Sequence, residues 1–184
     1  MTSAQMTIAE AQRDMRAGYV GGAPGMFASA LVWLAAGLVA VQVSPQRAVV
    51  ALFVGGVLIH PIGVLLARAL GRTGQHTHGN PLGQLALETT AWLVLSMPLA
   101  YAVSLVRMDL FFPAMLLVIG GRYTTFATIF GRRVFWACGG ALVAAAYALA
   151  SLNATPATGA FTGAAIEAVF AVVIAATIRA EPAA

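Results

Sequence analysis

The chain has 184 residues, of which 60% are hydrophobic and only 9% charged, and its mean hydropathy is +0.88. Soluble domains carry about 25% charged residues and rarely contain runs of 20 apolar residues. This composition excludes a water-soluble globular protein and leaves no room for a separate soluble domain. We therefore expect a single membrane domain.

The ten basic residues outnumber the six acidic ones, and all ten are arginines. They lie at the ends of apolar runs and not in one polar patch, so they indicate orientation in a membrane and exclude a nucleic-acid partner. Cys138, the only cysteine, lies within an apolar run, so no intrachain disulfide can form. We expect no cleavable signal peptide, because the first long apolar run is too long for one.

Residues 1–23 are predicted to form a cytoplasmic amphipathic segment before the membrane. Within it, a short helix is expected over residues 7–17, because Thr7 and Glu10 have the spacing of a capping box. The stretch from Gly18 to Gly25 contains four glycines and Pro24, so it predicts either a hinge or a kinked first turn of the next helix.

Six apolar runs are each long enough, at about 1.5 Å per residue, to cross a hydrocarbon core of about 30 Å. Asn80 is the expected N-cap of the third span, and Pro81 fits its first turn. We predict an all-α polytopic bundle over residues 24–179, followed by a short cytoplasmic tail over residues 180–184. The six predicted transmembrane helices cover residues 24–43, 48–70, 82–105, 110–131, 133–151 and 158–178.

The arginines distribute unequally between the two sides of this topology. Seven arginines fall on the side of the membrane that carries both termini, two fall on the opposite side (Arg47 and Arg107), and Arg122 falls within a span. Because cytoplasmic loops carry the excess of positive charge, both termini are predicted to be cytoplasmic and the protein to lie in a bacterial inner membrane. The seven arginines on the predicted cytoplasmic side are Arg13, Arg16, Arg68, Arg72, Arg132, Arg133 and Arg179.

Short sequence echoes link the first three spans to the last three. For example, Ala86-Leu87-Glu88 in the third span is matched by Ala165-Ile166-Glu167 in the sixth. These echoes suggest two inverted three-helix repeats, an arrangement that many transporters share. Small residues four positions apart predict close helix packing. Such pairs are Gly21 and Gly25, Gly121 and Thr125, Gly140 and Ala144, and Gly159 and Gly163.

Four ionisable side chains fall within the predicted spans: His60, Glu88, Arg122 and Glu167. A charge at the bilayer centre costs at least about 2.5–3.5 kcal/mol, so each group is expected to face protein or water and to find a partner. Two carboxylates accompany one arginine, so the second is expected to hold a proton or a cation unless a metal ion or a charged His60 intervenes. We predict that the four side chains form a pocket for a solute or ion. The alternative is an Arg122–Glu167 pair that only holds helices together.

No catalytic residue, cofactor site or metal site is predicted. His76 and His78 lie in one loop, but two imidazoles are too few for a structural zinc site. The motifs of zinc proteases, serine hydrolases and phosphate-binding loops are missing from the sequence. An enzyme is therefore not favoured, although an active site assembled from distant residues stays open.

Three short motifs extend over most of the chain: Gly21-Gly22-Ala23-Pro24-Gly25, Asn80-Pro81-Leu82-Gly83 and Gly120-Gly121-Arg122-Tyr123. Together they resemble a family of small bacterial multi-pass membrane proteins that is known only as a domain of unknown function. The resemblance implies a multi-pass membrane protein and no activity or site residue.

The function we expect is transport of a small solute or ion through a polar intramembrane pocket. The alternative is a non-transporting structural or partner-binding protein whose buried charges only join helices. The expected partners are membrane lipids and a small solute, proton or cation, and a homo-oligomer remains open.

Overall fold

The computed structural model describes residues 6–179, which are almost entirely helical and contain no strand. Two short 3-10 turns, Val20–Gly22 and Met108–Leu110, lead into the second and fifth helices. The predicted tail over residues 180–184 lies outside the described residues. In this described part of the chain the seven helices are α1 (Ile8–Tyr19), α2 (Ala23–Gln42), α3 (Pro45–Ala69), α4 (Pro81–Val106), α5 (Phe111–Phe130), α6 (Val134–Ser151) and α7 (Pro156–Arg179).

Six helical stretches within residues 6–179 are long and apolar enough to cross a membrane, and the first of them includes α1 as well as α2. The prediction of a polytopic bundle of six transmembrane helices is therefore confirmed. The helices begin and end close to the predicted bounds. The largest difference is at α3, which starts at Pro45 because the Ser44 hydroxyl accepts a hydrogen bond from the Arg47 amide and caps the helix.

Local signals in the sequence act where they were expected. Thr7 and Glu10 form the capping box of α1, and the Asn80 side chain caps α4 by accepting from the Leu82 amide. The glycine-rich stretch forms a tight corner between α1 and α2. Gly21 and Gly22 have φ of 60° and 90° there, in the left-handed region that glycine adopts most easily.

The bundle is built from two similar sets of helix pairs. Helix α2 packs against α3 and α7, while α5 packs against α6 and α4. Helices α3 and α4 form the edges of the bundle and are the least buried of the long helices. Helix α2 and helix α5 therefore each pack against two partners in the same way. This pairing is compatible with an inverted repeat, and the repeat itself stays a prediction.

Glycines bring the helix backbones into direct contact. A Cβ on Gly63 would lie 2.9 Å from Gly25 Cα, and one on Gly139 would lie 2.6 Å from the carbonyl oxygen of Gly120. The expected packing face at Gly159 and Gly163 is confirmed, since it receives Phe112 and Trp33. Gly121 and Gly140 have no neighbour within 4 Å at their Cβ positions, so the prediction that they pack was wrong by one residue, about 100° around each helix.

One end of the bundle, which we call the arginine-rich end, holds α1, the loop over residues 70–80 and the turn over residues 131–133. The Asp14 carboxylate accepts hydrogen bonds from the amide and hydroxyl of Thr77 (2.8 and 2.9 Å) and from Asn80 Nδ2 (2.7 Å). Gln12 and Arg16 donate to carbonyl groups at the end of α5. Helix α1 thereby fastens the 70–80 loop to α5.

Candidate functional site

Glu167 occupies the centre of the most buried polar cluster. It lies about 16–18 Å from either end of α7, and its side chain is completely inaccessible to solvent. Its Oε1 accepts a hydrogen bond of 3.0 Å from the Tyr123 hydroxyl of α5. Ser29 of α2 is also buried and places its hydroxyl beside the carboxyl group. We call these three residues, Glu167, Tyr123 and Ser29, the buried carboxyl site.

The second carboxyl oxygen is not satisfied in the same way. Among the described residues, Glu167 Oε2 has no hydrogen-bond partner of acceptable geometry, although Ser29 lies nearby. Buried polar atoms are paired in the great majority of cases, so an unpaired one calls for an explanation. A proton, a cation or a ligand group at Oε2 would supply the missing partner.

The Tyr123 ring is held by aromatic side chains. It meets Phe126 edge to face, with ring centroids 5.4 Å apart, and stacks on Phe135 at 6.2 Å. These contacts fix the direction of the hydroxyl group toward α7. Sequence reasoning did not assign Tyr123 or Ser29 to the site. The available signal was a tyrosine directly after an intramembrane arginine, in the middle of an apolar helix.

Arg122 is the neighbour of Tyr123 on α5, but it faces α4. Its Nη2 donates a hydrogen bond of 2.8 Å to the Thr90 hydroxyl, and its guanidinium carbon lies 5.1 Å from the centroid of the Phe126 ring. Its Nε is buried and has no partner among the described residues. The guanidinium lines a groove between α4 and α5, which we call the Arg122 groove, with a volume of about 310 Å³.

The structure does not join Arg122 and Glu167 into an ion pair. Within residues 6–179, no carboxylate oxygen lies within 4.0 Å of the Arg122 guanidinium nitrogens. Successive residues of a helix point about 100° apart, which directs Tyr123 toward α7 and Arg122 toward α4. The two groups lie near enough for Arg122 to contribute electrostatically at Glu167. The alternative prediction of a direct Arg122–Glu167 pair is therefore not realised.

The other two predicted site residues, His60 and Glu88, lie on exposed helix faces. Helix α3 packs on α2 through a stripe that includes Leu52, Gly55 and Gly63, and His60 falls beside this stripe. On α4, Glu88 comes directly before Thr89, which lines the Arg122 groove, but Glu88 itself is not a lining residue. The structure thus brings Arg122 and Glu167 to neighbouring sites. His60 and Glu88 stay outside these sites because their side chains lie on exposed helix faces.

The described residues contain no group of three or more His, Cys, Asp or Glu side chains that could hold a metal ion. His76 instead contacts the Tyr19 hydroxyl through Nδ1, at 3.0 Å, and packs against Gly83. It therefore helps to hold the 70–80 loop against α1.

Comparison with known proteins gives a family and no activity. The model of DUF7010, a family of unknown function, matches residues 8–177. No curated protein and no solved structure matches the chain. The matched range runs from the first residue of α1 almost to the end of α7.

Proposed function

The chain belongs to DUF7010, a family of unknown function, and from the geometry of its two intramembrane polar sites we propose that it is a transporter of a small solute or ion. In this proposal, Glu167 exchanges a proton and Arg122 binds an anionic group. The coarser statement, a multi-pass membrane protein, does not depend on the proposal.

The observation that carries the proposal is the incomplete pairing of Glu167. A carboxyl group that only locked helices together would be expected to use both oxygens and to pair with the nearest cation. Glu167 uses one oxygen for Tyr123 and leaves Oε2 unpaired, while Arg122 turns away toward its own groove. Ionisable groups within membrane spans are expensive and mark proton or solute paths in many proteins.

The arrangement of the helices also supports transport. The buried carboxyl site lies where α2, α5 and α7 meet, so it is formed by both sets of three helices. Transporters built from inverted repeats place their sites near the midplane between the halves. A change in the packing of α7 against α2 would expose the carboxyl group and allow its proton to leave.

We expect the substitution Glu167→Gln to abolish pH-dependent flux. The amide preserves the shape of the side chain and cannot exchange a proton at neutral pH. Purified protein would be reconstituted in liposomes that contain the pH indicator pyranine. Internal pH would then be followed while a panel of small organic anions is added outside under an imposed pH gradient.

The matched control is Glu10→Gln. This change removes the same charge outside the long apolar helices, and glutamine keeps the capping-box geometry at the start of α1. Solute-dependent proton flux is expected in the wild type and in the Glu10 variant. Unchanged flux in the Glu167 variant would remove Glu167 from the mechanism.

A second candidate function is a non-transporting structural or partner-binding protein. The observation that favours it is the complete burial of Glu167 in this conformation. A permanently dry carboxyl group would act only as a contact between α5 and α7. Water access to the buried carboxyl site therefore separates the two candidate functions.

A further inference from the structure

The Arg122 groove has mixed walls that suit an amphiphilic ligand. Helix α4 contributes hydroxyl groups and a large aromatic surface, and α5 contributes aliphatic side chains and the guanidinium. With a volume of about 310 Å³, the groove falls at the lower end of the range for small-molecule sites. Its polar lining residues are Thr89, Ser96, Thr125 and Arg122, and its apolar ones include Trp92, Leu93, Leu117 and Val118.

No carboxylate among the described residues contacts the Arg122 guanidinium at this depth. The residue lies about 12 Å from the end of α5 at Phe130, and arginine stays protonated in proteins. The guanidinium contacts a neutral hydroxyl, that of Thr90, and the face of an aromatic ring, that of Phe126. Neither carries a formal negative charge, so the groove retains a positive potential.

The side chain also points away from the nearer membrane surface. Side chains on a helix tilt toward its N-terminus, and the N-terminus of α5 lies at the end opposite the arginine-rich end. Arg122 therefore extends toward the membrane centre, and its hydrogen bond to Thr90 holds it there. An anion that neutralises it has to reach the same depth.

We propose that the Arg122 groove binds an amphiphilic carboxylate, an organic acid with a short apolar chain. The carboxylate would pair with the part of the Arg122 guanidinium that lines the groove, and the chain would lie along Trp92, Leu93 and Leu117. The claim that this acid is a substrate rests on the proposed function. Binding of the acid to the groove can be measured without measuring flux.

Depth and size favour a free organic acid over a membrane phospholipid. A phospholipid keeps its phosphate at the membrane surface, about 12 Å from the level of Arg122. The groove has a volume of about 310 Å³, at the small end of the range for ligand sites. This space fits a medium-chain acid better than a lipid with two long chains.

Quenching of Trp92 fluorescence tests the inference directly. Trp92 lines the groove, whereas Trp33 is buried and Trp136 lies on α6. Protein with Trp136→Phe would be placed in phosphatidylcholine nanodiscs at pH 8 and titrated with 10-bromodecanoate, whose bromine quenches nearby indoles. The uncharged 10-bromodecanol controls for simple partitioning into the bilayer, and a Trp92→Phe version gives the contribution of Trp33.

We expect saturable quenching by bromodecanoate, competition by unlabelled decanoate, and only linear quenching by bromodecanol. The change Arg122→Gln should weaken binding at least about tenfold, since hydrogen bonds to charged groups contribute more than neutral ones. Arg107→Gln, an exposed arginine outside the groove, should leave binding unchanged. Size-exclusion profiles would show whether the variants remain folded. The comparison of acid and alcohol on the Trp136→Phe protein with Arg122 intact does not depend on those variants.

Equal quenching by the acid and the alcohol would overturn the inference. Saturable quenching by phosphatidylglycerol with brominated chains that decanoate does not displace would overturn it in favour of a lipid site. Binding of decanoate without any solute-dependent flux would uphold the site while rejecting transport. Flux that depends on Glu167, together with no Arg122-dependent binding, would uphold transport and reject the proposed binding site.

Discussion

Two adjacent residues of α5 divide the polar chemistry of this protein. Tyr123 turns toward Glu167 and Arg122 turns toward Thr90, so the carboxyl group and the cation occupy neighbouring but separate sites. Each site keeps one buried polar atom without a partner among residues 6–179. A ligand or a proton can bind to such an unpaired atom.

Removal of the Tyr123 hydroxyl tests the buried carboxyl site at the level of one hydrogen bond. In Tyr123→Phe, Glu167 Oε1 loses its tyrosine donor while the aromatic packing stays. We expect the free energy of unfolding to fall by about 1–3 kcal/mol, the usual cost of an unsatisfied buried polar group. Denaturant unfolding in mixed micelles measures it.

The control for this substitution is Tyr147→Phe on α6. Tyr147 is 65% exposed, so loss of its hydroxyl should change stability by less than about 0.5 kcal/mol. An equal effect of the two substitutions would contradict a special role for the Tyr123 hydrogen bond.

At the scale of the element, the sequence predicts where helices begin and end but not which way they face. Long apolar runs and residues such as Ser44, Asn80 and Pro81 define the helices with little ambiguity. The same runs are apolar all round, so they lack the one-sided stripe that reveals a buried face. For this reason the exposure of His60 and Glu88 could not be predicted.

Neighbouring glycines on α6 offer a matched test of helix packing. A Cβ at Gly139 would lie 2.6 Å from the Gly120 carbonyl oxygen, while one at Gly140 has nothing within 4 Å. We expect Gly139→Ala to destabilise the protein by about 1–3 kcal/mol, the cost of overpacking. Gly140→Ala should be neutral or stabilising, because alanine favours a helix over glycine by roughly 0.5–1 kcal/mol. Thermal unfolding in detergent compares the two, and equal midpoints would refute the close contact.

One carboxylate, that of Asp14, accepts three of the hydrogen bonds between α1 and the loop over residues 70–80. Asp14→Ala removes the acceptor of the bonds from Thr77 and Asn80. We expect amide hydrogen exchange in α1 and in the 70–80 loop to accelerate at least about tenfold, because local opening becomes cheaper. The neighbouring Arg13→Ala removes an exposed charge and should leave the exchange rates unchanged. Retained protection in the Asp14 variant would show that α1 is held by other contacts.

At the scale of the whole molecule, the question is whether water reaches the buried carboxyl site. The only native cysteine, Cys138, is buried and can be replaced by alanine to give a background without thiols. Ser29→Cys then places a thiol of similar size beside Glu167. A transporter is expected to expose this position to one side of the membrane during its cycle, whereas a structural lock keeps it dry.

We expect Ser29→Cys to react with a membrane-impermeant methanethiosulfonate reagent added to vesicles, and the rate to change when a transported solute is present. Ala36→Cys, on the same helix and completely buried, should stay unlabelled, and Gln46→Cys in the exposed start of α3 should label at once. Complete protection of Ser29→Cys from both sides would favour the structural function.

The glycine contacts have a mechanical consequence for the whole bundle. Where backbones touch, as at Gly25 with Gly63 and at Gly120 with Gly139, no layer of side chains can repack, so α2 with α3 and α5 with α6 behave as stiff hairpins. Relative motion is left to the seams between those hairpins and the remaining helices. Both unsatisfied polar groups lie at such seams, Glu167 on α7 and Arg122 opposite α4.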